Sequence, residues 1–182
     1  MKTIEKKLKE HLLGLKDKLQ CFHKNEVQVE GWLKGEILVF LERLKANGDI
    51  KEFHRECILK NRKRADIVIE IKKNKHWVEL KHWHIGKQKG KEWNIKDYIK
   101  DLEDDAIKLD VIPPTSRKWI LVLCTKNPGK TDWYRELNTF NATKEFFHKL
   151  KPASAPTSYP DAFFLGLLRI DKKRESKRTH HV

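Results

Sequence analysis

The chain has 182 residues, of which 40 are Lys or Arg and 26 are Asp or Glu, so its formal net charge is 40 − 26 = +14. This length suits one domain with its own core and argues against two independent domains. A basic excess of this size is typical of a protein that binds nucleic acid or another anionic surface, the plainer alternative being a merely soluble basic protein. The longest apolar runs, 119–124 and 162–168, are shorter than the roughly 20 residues that cross a bilayer, so we expect no membrane association.

The cysteines and the amino-terminal residues indicate the compartment. Cys21, Cys57 and Cys124 are odd in number and far apart, which argues against a disulfide framework or a zinc ribbon. The first residues are rich in lysine, and no apolar stretch of the kind found in secretory signals follows them. We therefore expect a cytoplasmic protein.

The first half of the chain predicts two helices followed by three strands. Apolar residues recur at helical spacing over 3–22 and again over 27–46. The Asn47-Gly48 pair predicts the end of the second helix, because glycine accepts a left-handed backbone there. A polar turn at 72–75 separates the last two of the three predicted strands, which span 53–59, 65–71 and 76–83.

The second half predicts two more helices and two more strands. A helix begins after Asn94 and ends near Asp110, before Pro113-Pro114, and an apolar strand spans 119–125. The remaining segments are an exposed loop at 85–93, a helix from 131 or 132 to 150, a Pro- and Ser-rich loop at 151–160 and a strand at 161–170. This order predicts an α/β domain with a mixed β-sheet flanked by helices. We divide the chain into an N-terminal amphipathic helix (1–24), the α/β domain (25–171) and a basic disordered tail (172–182).

The predicted hairpin gathers acidic and basic side chains on one face of the sheet. If Lys73 and Asn74 form the centre of the turn, Asp66 lies opposite Lys81, and strand alternation places Asp66, Glu79 and Lys81 on the same face. Two carboxylates a few Å apart suit Mg²⁺ or Mn²⁺. A lysine beside such an ion can orient or help to deprotonate a water molecule. These residues therefore indicate phosphodiester hydrolysis, the alternative being a solvated cross-strand ion pair that contributes about 0–1 kcal/mol.

The opposite face of the hairpin is predicted to join the core, because it collects five apolar residues: Ile67, Ile69, Ile71, Val78 and Leu80. Trp77 and Trp83 share the acidic face. Tryptophans at these positions indicate either a cleft or packing beneath a helix, and both alternatives remain open.

Asp66, twelve intervening residues and Glu79-Leu80-Lys81, preceded by a helix with glutamates, resemble the PD-(D/E)xK nuclease superfamily, which includes restriction endonucleases and Holliday-junction resolvases. The resemblance implies a restriction endonuclease-like fold and an Mg²⁺- or Mn²⁺-dependent endonuclease that acts on double-stranded or branched DNA. It also implies that Asp66, Glu79 and the Leu80 carbonyl bind the metal and that Lys81 assists the hydrolytic water. Ala65 stands where the family often has proline.

The resemblance further implies a metal-supporting glutamate on the helix before the first strand. We favour Glu36, which leads an apolar helical stretch that ends near Gly48. Glu30 lies six residues earlier, about 9 Å along a helix, and is the second candidate. Glu56, within the first predicted strand, is the third.

Basic residues flank the predicted site. We expect the loop at 85–93 to contact DNA phosphates, with Trp93 or Trp83 stacking on a base or sugar. The predicted nucleic-acid contacts are Arg62, Lys63, Arg64, Lys87, Lys89, Lys91 and Trp93. The alternative is an ordinary solvated charged surface.

Two other functions fit the same residues. One is a nucleic-acid-binding module of the same fold without turnover. The other is a nuclease subunit that acts only in a complex, its first helix docking on a partner or on a second copy to form a homodimer. His82 and His84, two residues apart on a strand and without a nearby cysteine, do not indicate a zinc site.

Overall fold

A computed structural model of the chain describes residues 2–25, 27, 29–60, 62–83, 87–88, 91–92, 95–124, 142–150 and 163–170. Its helices are α1 (Lys2–Gly14), α2 (Lys16–Lys24), α3 (Glu30–Ala46) and α4 (Ile95–Leu109). Its strands are β1 (Glu52–Ile58), β2 (Arg64–Ile71), β3 (Asn74–Trp83), β4 (Lys87–Gln88), β5 (Lys91–Glu92), β6 (Arg117–Cys124), β7 (Ala142–Leu150) and β8 (Phe163–Ile170).

Six strands form one mixed sheet in the order β1-β2-β3-β6-β8-β7. Neighbouring strands are antiparallel except β3 and β6, which run parallel and are connected through α4. A crossover helix is the usual way to join two parallel neighbours. β4 and β5 form a separate two-stranded sheet within the predicted loop at 85–93. The protein is therefore an α/β domain with a mixed sheet, as the order of elements predicts.

The helices cover different faces of the sheet. Apolar residues of α1, α2 and α3 form one buried cluster with Ile67, Val78 and Leu80 of the hairpin. On the other face, α4 lies against β3, where Tyr98 contacts Trp83 and Leu109 belongs to a second apolar cluster against which Trp77 packs. Strand alternation explains this division, because residues of opposite parity along β3 point to opposite faces.

The first predicted helix is in fact two helices. The helix over 3–22 is interrupted at Leu15, directly after Gly14, and continues as α2. Glycine weakens a helix interior because it has more backbone freedom to lose on folding than other residues. Ile4, Leu8 and Leu12 of α1 are buried in the same cluster as α3 and the sheet. The apolar side of α1 is thus part of the domain core and is not exposed for a partner.

The hairpin turn lies one residue earlier than predicted, which shifts the pairing of the two strands by two residues. Lys72 and Lys73 form the turn, with Lys72 at a φ of 55°, and Ile67 pairs with Val78. The residue numbers of two paired residues therefore add up to 145, whereas a turn centred on Lys73 and Asn74 predicts a sum of 147. An even shift keeps every side chain on its predicted face. It moves Asp66 level with Glu79, so the expected pairing of Asp66 with Lys81 is wrong.

The predicted helix that ends at residue 150 is also wrong over its last part. Residues 142–150 form β7, an edge strand antiparallel to β8 with a register shift between Lys144 and Phe146. Such a bulge interrupts the two-residue period by which a strand is recognised in a sequence, and pairing with β8 outweighs local helical preference. Residues 131–141 lie outside the described part of the chain.

The other predicted elements agree with the structure. The three strands of the first half, the helix after residue 94, the apolar strand at 119 and the final strand are all present. Gly48 has a φ of 74° directly after α3, as the predicted helix end requires. The predicted loop at 151–160 and the tail at 172–182 lie outside the described residues. None of the helices in the described ranges combines the length and the apolar character needed to cross a bilayer.

Candidate active site

The hairpin opens at the end away from its turn. Pairing between β2 and β3 ends at Ile67 and Val78, although β2 begins at Arg64 and β3 continues to Trp83. Asp66 Oδ2 accepts a hydrogen bond of 2.8 Å from the backbone N–H of Leu80. A side-chain carboxylate thus accepts the backbone hydrogen bond of Leu80, which lies beyond the last paired residue of β3. The Asp66 carboxylate is thereby held close enough to Glu79, which precedes Leu80 in the chain, for its charge to raise the pKa of Glu79.

Glu79 is the most confined carboxyl group of the site. Its side chain is 2% exposed, and its Oε2 accepts a hydrogen bond from Lys108 Nζ. Among the described residues, no donor forms a hydrogen bond with its other oxygen, Oε1. Burial raises the pKa of Glu79 to about 8, and the Asp66 carboxylate adds to this rise while Lys108 opposes it. An unpartnered oxygen on a buried carboxyl group favours a proton or a cation at this position.

Helix α4 supplies two charged side chains that lie against β3. Lys81 Nζ lies 3.2 Å from Asp105 Oδ2, and Lys108 Nζ lies 3.6 Å from Asp105 Oδ1. Burial lowers the pKa of Lys81, but Asp105 outweighs it, so that the pKa is raised overall and the amine stays protonated. Burial raises the pKa of Asp105, although Lys81 and Lys108 both act to lower it. Acidic and basic groups therefore alternate from Glu79 through Lys108 and Asp105 to Lys81.

Glu30, and not Glu36, is the helix glutamate near Asp66. Lys34 Nζ lies 3.1 Å from Glu30 Oε1 and 3.0 Å from Asp66 Oδ1, and so joins the two acids. Glu36 instead lies near His11 of α1 and Lys18 of α2, at 3.8 and 3.7 Å. The choice of Glu36 is wrong because six residues turn a helix by one and two-thirds turns, which points that side chain toward the other helices.

Glu56, the third candidate acid, pairs with Arg64 on the surface. Its Oε2 lies 3.1 Å from Arg64 Nη1, and both side chains are largely exposed. Glu56 also has a φ of 49°, which is unusual for a residue other than glycine within a strand. A cleft of about 60 Å³ opens here between α3 and β1. It is lined by Lys34, Leu38, Arg55, Glu56, Asp66, Ile67 and Leu80.

The tryptophans of the acidic face are packed beneath α4. Trp83 is 1% exposed, and its ring centroid lies 5.0 Å from that of Tyr98. Trp77 packs against the apolar cluster that contains Leu59 and Leu109. Of the two alternatives for this face, packing beneath a helix is therefore correct, and the expectation that Trp83 stacks on a base is wrong. Trp93 lies outside the described residues.

The predicted DNA-contacting cations divide into two groups. Arg62, Lys63 and Arg64 are exposed where the β1–β2 loop enters β2, two to four residues before Asp66. Arg62 has a φ of 62° within a turn closed by a hydrogen bond from Leu59 N–H to the Lys63 carbonyl. Lys87 and Lys91 belong to the backbone of β4 and β5, and Lys89 lies outside the described residues.

The Asp66 and Glu79 carboxyl groups are the side chains of the site that could provide oxygen ligands to a divalent cation. Within the described ranges, no three His, Cys, Asp or Glu side chains form a ready-made metal cage, and Lys34 and Lys108 contact Asp66 and Glu79. Mg²⁺ in particular needs only one or two protein carboxylates, because substrate phosphate and water complete its shell. The unpartnered Glu79 oxygen beside Asp66 fits that requirement.

Asp105 and Lys108 were missed by the sequence analysis. They lie 24 and 27 residues beyond Lys81, and only the parallel pairing of β3 with β6 brings α4 over the hairpin. One sequence signal was present: Asp105 lies three residues after Leu102 and four before Leu109, on the buried stripe of an amphipathic helix. An acid at such a position requires a buried partner.

Comparison of the chain with protein-family models, curated proteins and solved structures found no match.

Proposed function

We propose that the protein is an Mg²⁺- or Mn²⁺-dependent endonuclease that hydrolyses phosphodiester bonds in DNA. The observation that carries this proposal is the proximity of the Asp66 and Glu79 carboxyl groups at the open end of the hairpin, where the Asp66 charge helps to raise the pKa of Glu79. Glu79 is buried with one unpartnered oxygen, and Lys81 follows it by two residues on the same face. Two carboxylates and an ammonium group in this arrangement suit a metal-bound phosphate and an attacking water.

The order of elements supports the same proposal. A helix with glutamates (α3), a strand, the acidic hairpin, a crossover helix and a parallel strand follow one another in the order implied by the resemblance to PD-(D/E)xK nucleases. We therefore propose a restriction endonuclease-like fold for this domain.

Each residue has a separate task in the proposed reaction. Asp66 and Glu79 would hold the ion, which lowers the pKa of bound water and neutralises charge on the phosphate. Lys81 is kept protonated by Asp105, so it donates hydrogen bonds to the attacking water or a phosphate oxygen and does not act as the resting base. Lys34 and Lys108, which contact the two carboxyl groups in the metal-free protein, would lose these contacts to a bound ion.

The charge distribution supports nucleic acid as the substrate. Arg62 and Lys63 are exposed close to Asp66, and Arg55 lines the cleft that leads to it. Cations of this kind neutralise backbone phosphates without reading the base sequence. DNA held across this end of the sheet would place a phosphodiester bond next to the two carboxylates.

Cleavage of plasmid and branched DNA with Mg²⁺ tests the proposal. Asp66→Asn and Lys81→Ala should each lower the rate by about 10³-fold, because several kcal/mol of transition-state stabilisation depend on the metal site. Glu70→Gln is a matched control on the same face of β2, where Glu70 pairs with Lys75 at 3.2 Å outside the site. Equal, metal-independent rates for all four proteins would refute the enzymatic function.

A DNA-binding module without turnover is the second candidate. It is favoured by one observation, namely that Lys34 and Lys108 already contact the two acids without a metal. This candidate predicts salt-sensitive DNA binding that neither EDTA nor Glu79→Gln changes. Metal-dependent cleavage would exclude it.

A further inference from the structure

Asp105 is a charged residue of the site for which the resemblance provides no role. It lies on α4 and is largely buried, and its two oxygens have different partners. Oδ2 lies 3.2 Å from Lys81 Nζ, and Oδ1 lies 3.6 Å from Lys108 Nζ. Since Lys108 also donates to Glu79, Asp105 links both lysines to the acidic hairpin.

We propose that Asp105 is a positioning residue, which holds the Lys81 ammonium group beside the metal-binding carboxylates so that α4 completes the active site. This inference rests on the proposed function for its kinetic consequence, but the positioning itself is a property of the protein without metal or DNA. A lysine side chain has four rotatable carbon–carbon bonds and loses much freedom when it is held in one place. Asp105 supplies the fixed partner that offsets this loss.

The geometry distinguishes positioning from general stabilisation. Lys81 is about a quarter exposed, so its ammonium group has an open path to solvent when it is not held. Lys108 contacts Glu79 independently of Asp105 and keeps one partner when Asp105 is changed. The first effect of losing the Asp105 charge is therefore the release of Lys81. Lys108 would remain on Glu79.

Asp105→Asn tests the proposal, with Asp104→Asn as the matched control. Asp104 is the preceding residue of α4, and it is exposed. Nuclear magnetic resonance relaxation of ¹⁵N-labelled lysine ammonium groups gives an order parameter for Lys81, whose signal Lys81→Arg identifies. Asp105→Asn should lower this parameter to the range of flexible groups, below about 0.6. Asp104→Asn should leave it unchanged.

Cleavage kinetics provide the second measurement. In the metal-loaded protein, Asp105→Asn should lower kcat by about 10- to 100-fold while KM stays within about twofold, since supporting residues of metal sites have effects of this size. Asp105→Glu, which keeps the charge, should recover part of kcat. It also replaces the asparagine variant if that variant does not fold, as judged by circular dichroism. In that case, the anchoring role of the charge is supported if the Asp105→Glu protein keeps both the wild-type Lys81 order parameter and the wild-type kcat. The role is overturned if the order parameter stays at the wild-type value while kcat is as low as expected for Asp105→Asn.

The two measurements separate the two proposals. Equal Lys81 order parameters in the Asp105→Asn and Asp104→Asn proteins would overturn the positioning role, whatever the activity. Lower Lys81 order with unchanged kcat would overturn its importance for the reaction. If the wild-type protein does not cleave DNA, the proposed function fails, and the order parameter alone decides whether Asp105 holds Lys81.

Discussion

His76 and Glu79 are two buried titratable side chains of β3 that point to opposite faces of the sheet. His76 is 3% exposed, and its Nδ1 accepts a hydrogen bond of 3.1 Å from Trp119 Nε1. Burial lowers its pKa to about 4, so the imidazole is neutral. Glu79 is 2% exposed, keeps one oxygen without a hydrogen bond, and has a pKa raised to about 8. Burial disfavours the charged form in both cases, but only the histidine is satisfied by a neutral partner.

This difference indicates what each face is for. The face beneath α1, α2 and α3 is an apolar core in which the polar pair of His76 and Trp119 is joined by a hydrogen bond within the protein. On the face beneath α4, the Glu79 carboxyl group has one oxygen that forms no hydrogen bond with the described side chains. Active sites often retain such destabilising groups because their chemistry requires them. The comparison predicts that changes at the two residues separate activity from stability.

The largest expected effect is on activity. Glu79→Gln should lower the Mg²⁺-dependent cleavage rate by about 10³-fold, since an amide is a poor metal ligand beside Asp66 and several kcal/mol of metal-dependent stabilisation are lost. His76→Gln, on the opposite face, should keep the rate within about threefold. Plasmid nicking at saturating Mg²⁺ measures both. A loss of the same size in His76→Gln would mean that the two faces are not functionally distinct.

The next effect is on stability at neutral pH. His76→Ala removes a buried ring and leaves the Trp119 N–H without its acceptor, so the free energy of unfolding should fall by about 2–4 kcal/mol. His54→Ala, at an exposed position of β1, should change it by less than about 0.5 kcal/mol. Urea denaturation at pH 7 gives both values. Equal effects at the two histidines would contradict the satisfied pair.

The separation of the two faces could be predicted from sequence, because it depends only on the two-residue period of a strand. An error of one residue in the turn, which shifts the pairing by two residues, left it intact: Ile67 and Val78 stayed on the core face, and Trp77 and Glu79 stayed on the other. The same error assigned Asp66 the wrong neighbour, since register depends on the turn conformation that Lys72 adopts at a φ of 55°.

The contributions of the helices could not be predicted in the same way. Whether Glu30 or Glu36 faces Asp66 depends on how α3 is rotated about its axis, and α1 and α2 set that rotation by packing on it. Asp105 reaches Lys81 only after β6 pairs with β3, a contact between residues far apart in the chain. Local periodicity identifies elements and faces, whereas contacts between elements depend on packing.

The pH dependence provides a third, smaller effect at His76. In the folded protein the pKa of His76 is about 4, compared with 6.5 for a free histidine. Between these pH values, His76 is therefore protonated in the unfolded chain but not in the folded protein. This contribution to stability is complete above pH 6.5 and is lost as the pH falls toward 4, with a slope of at most about 1.4 kcal/mol per pH unit. His76→Gln should remove this part of the slope. Denaturation of both proteins between pH 4 and 7 would measure it, and parallel curves would contradict a buried neutral histidine.

The smallest expected effect has the opposite sign and concerns Glu79. Its folded pKa of about 8 lies above the ordinary value of 4.5, so between these pH values the unfolded chain releases a proton that the folded protein keeps. The wild-type protein is therefore progressively destabilised as the pH rises from 4.5 to 8. Glutamine has no proton to lose, so in EDTA Glu79→Gln should become more stable than the wild type by about 1–2 kcal/mol at pH 8, and less so at pH 5.

Glu70→Gln serves as the matched control for this last change, because Glu70 pairs with Lys75 at a more exposed position of the hairpin. Its effect should be small and nearly independent of pH. The value for Glu79→Gln stays below the full shift because Lys108 loses its hydrogen bond to a charged acceptor. A gain that did not grow with pH would mean that Lys108 already satisfies an ionised Glu79. The α4 face would then be as closed as the core face, and the need for a metal cation at this carboxylate would disappear.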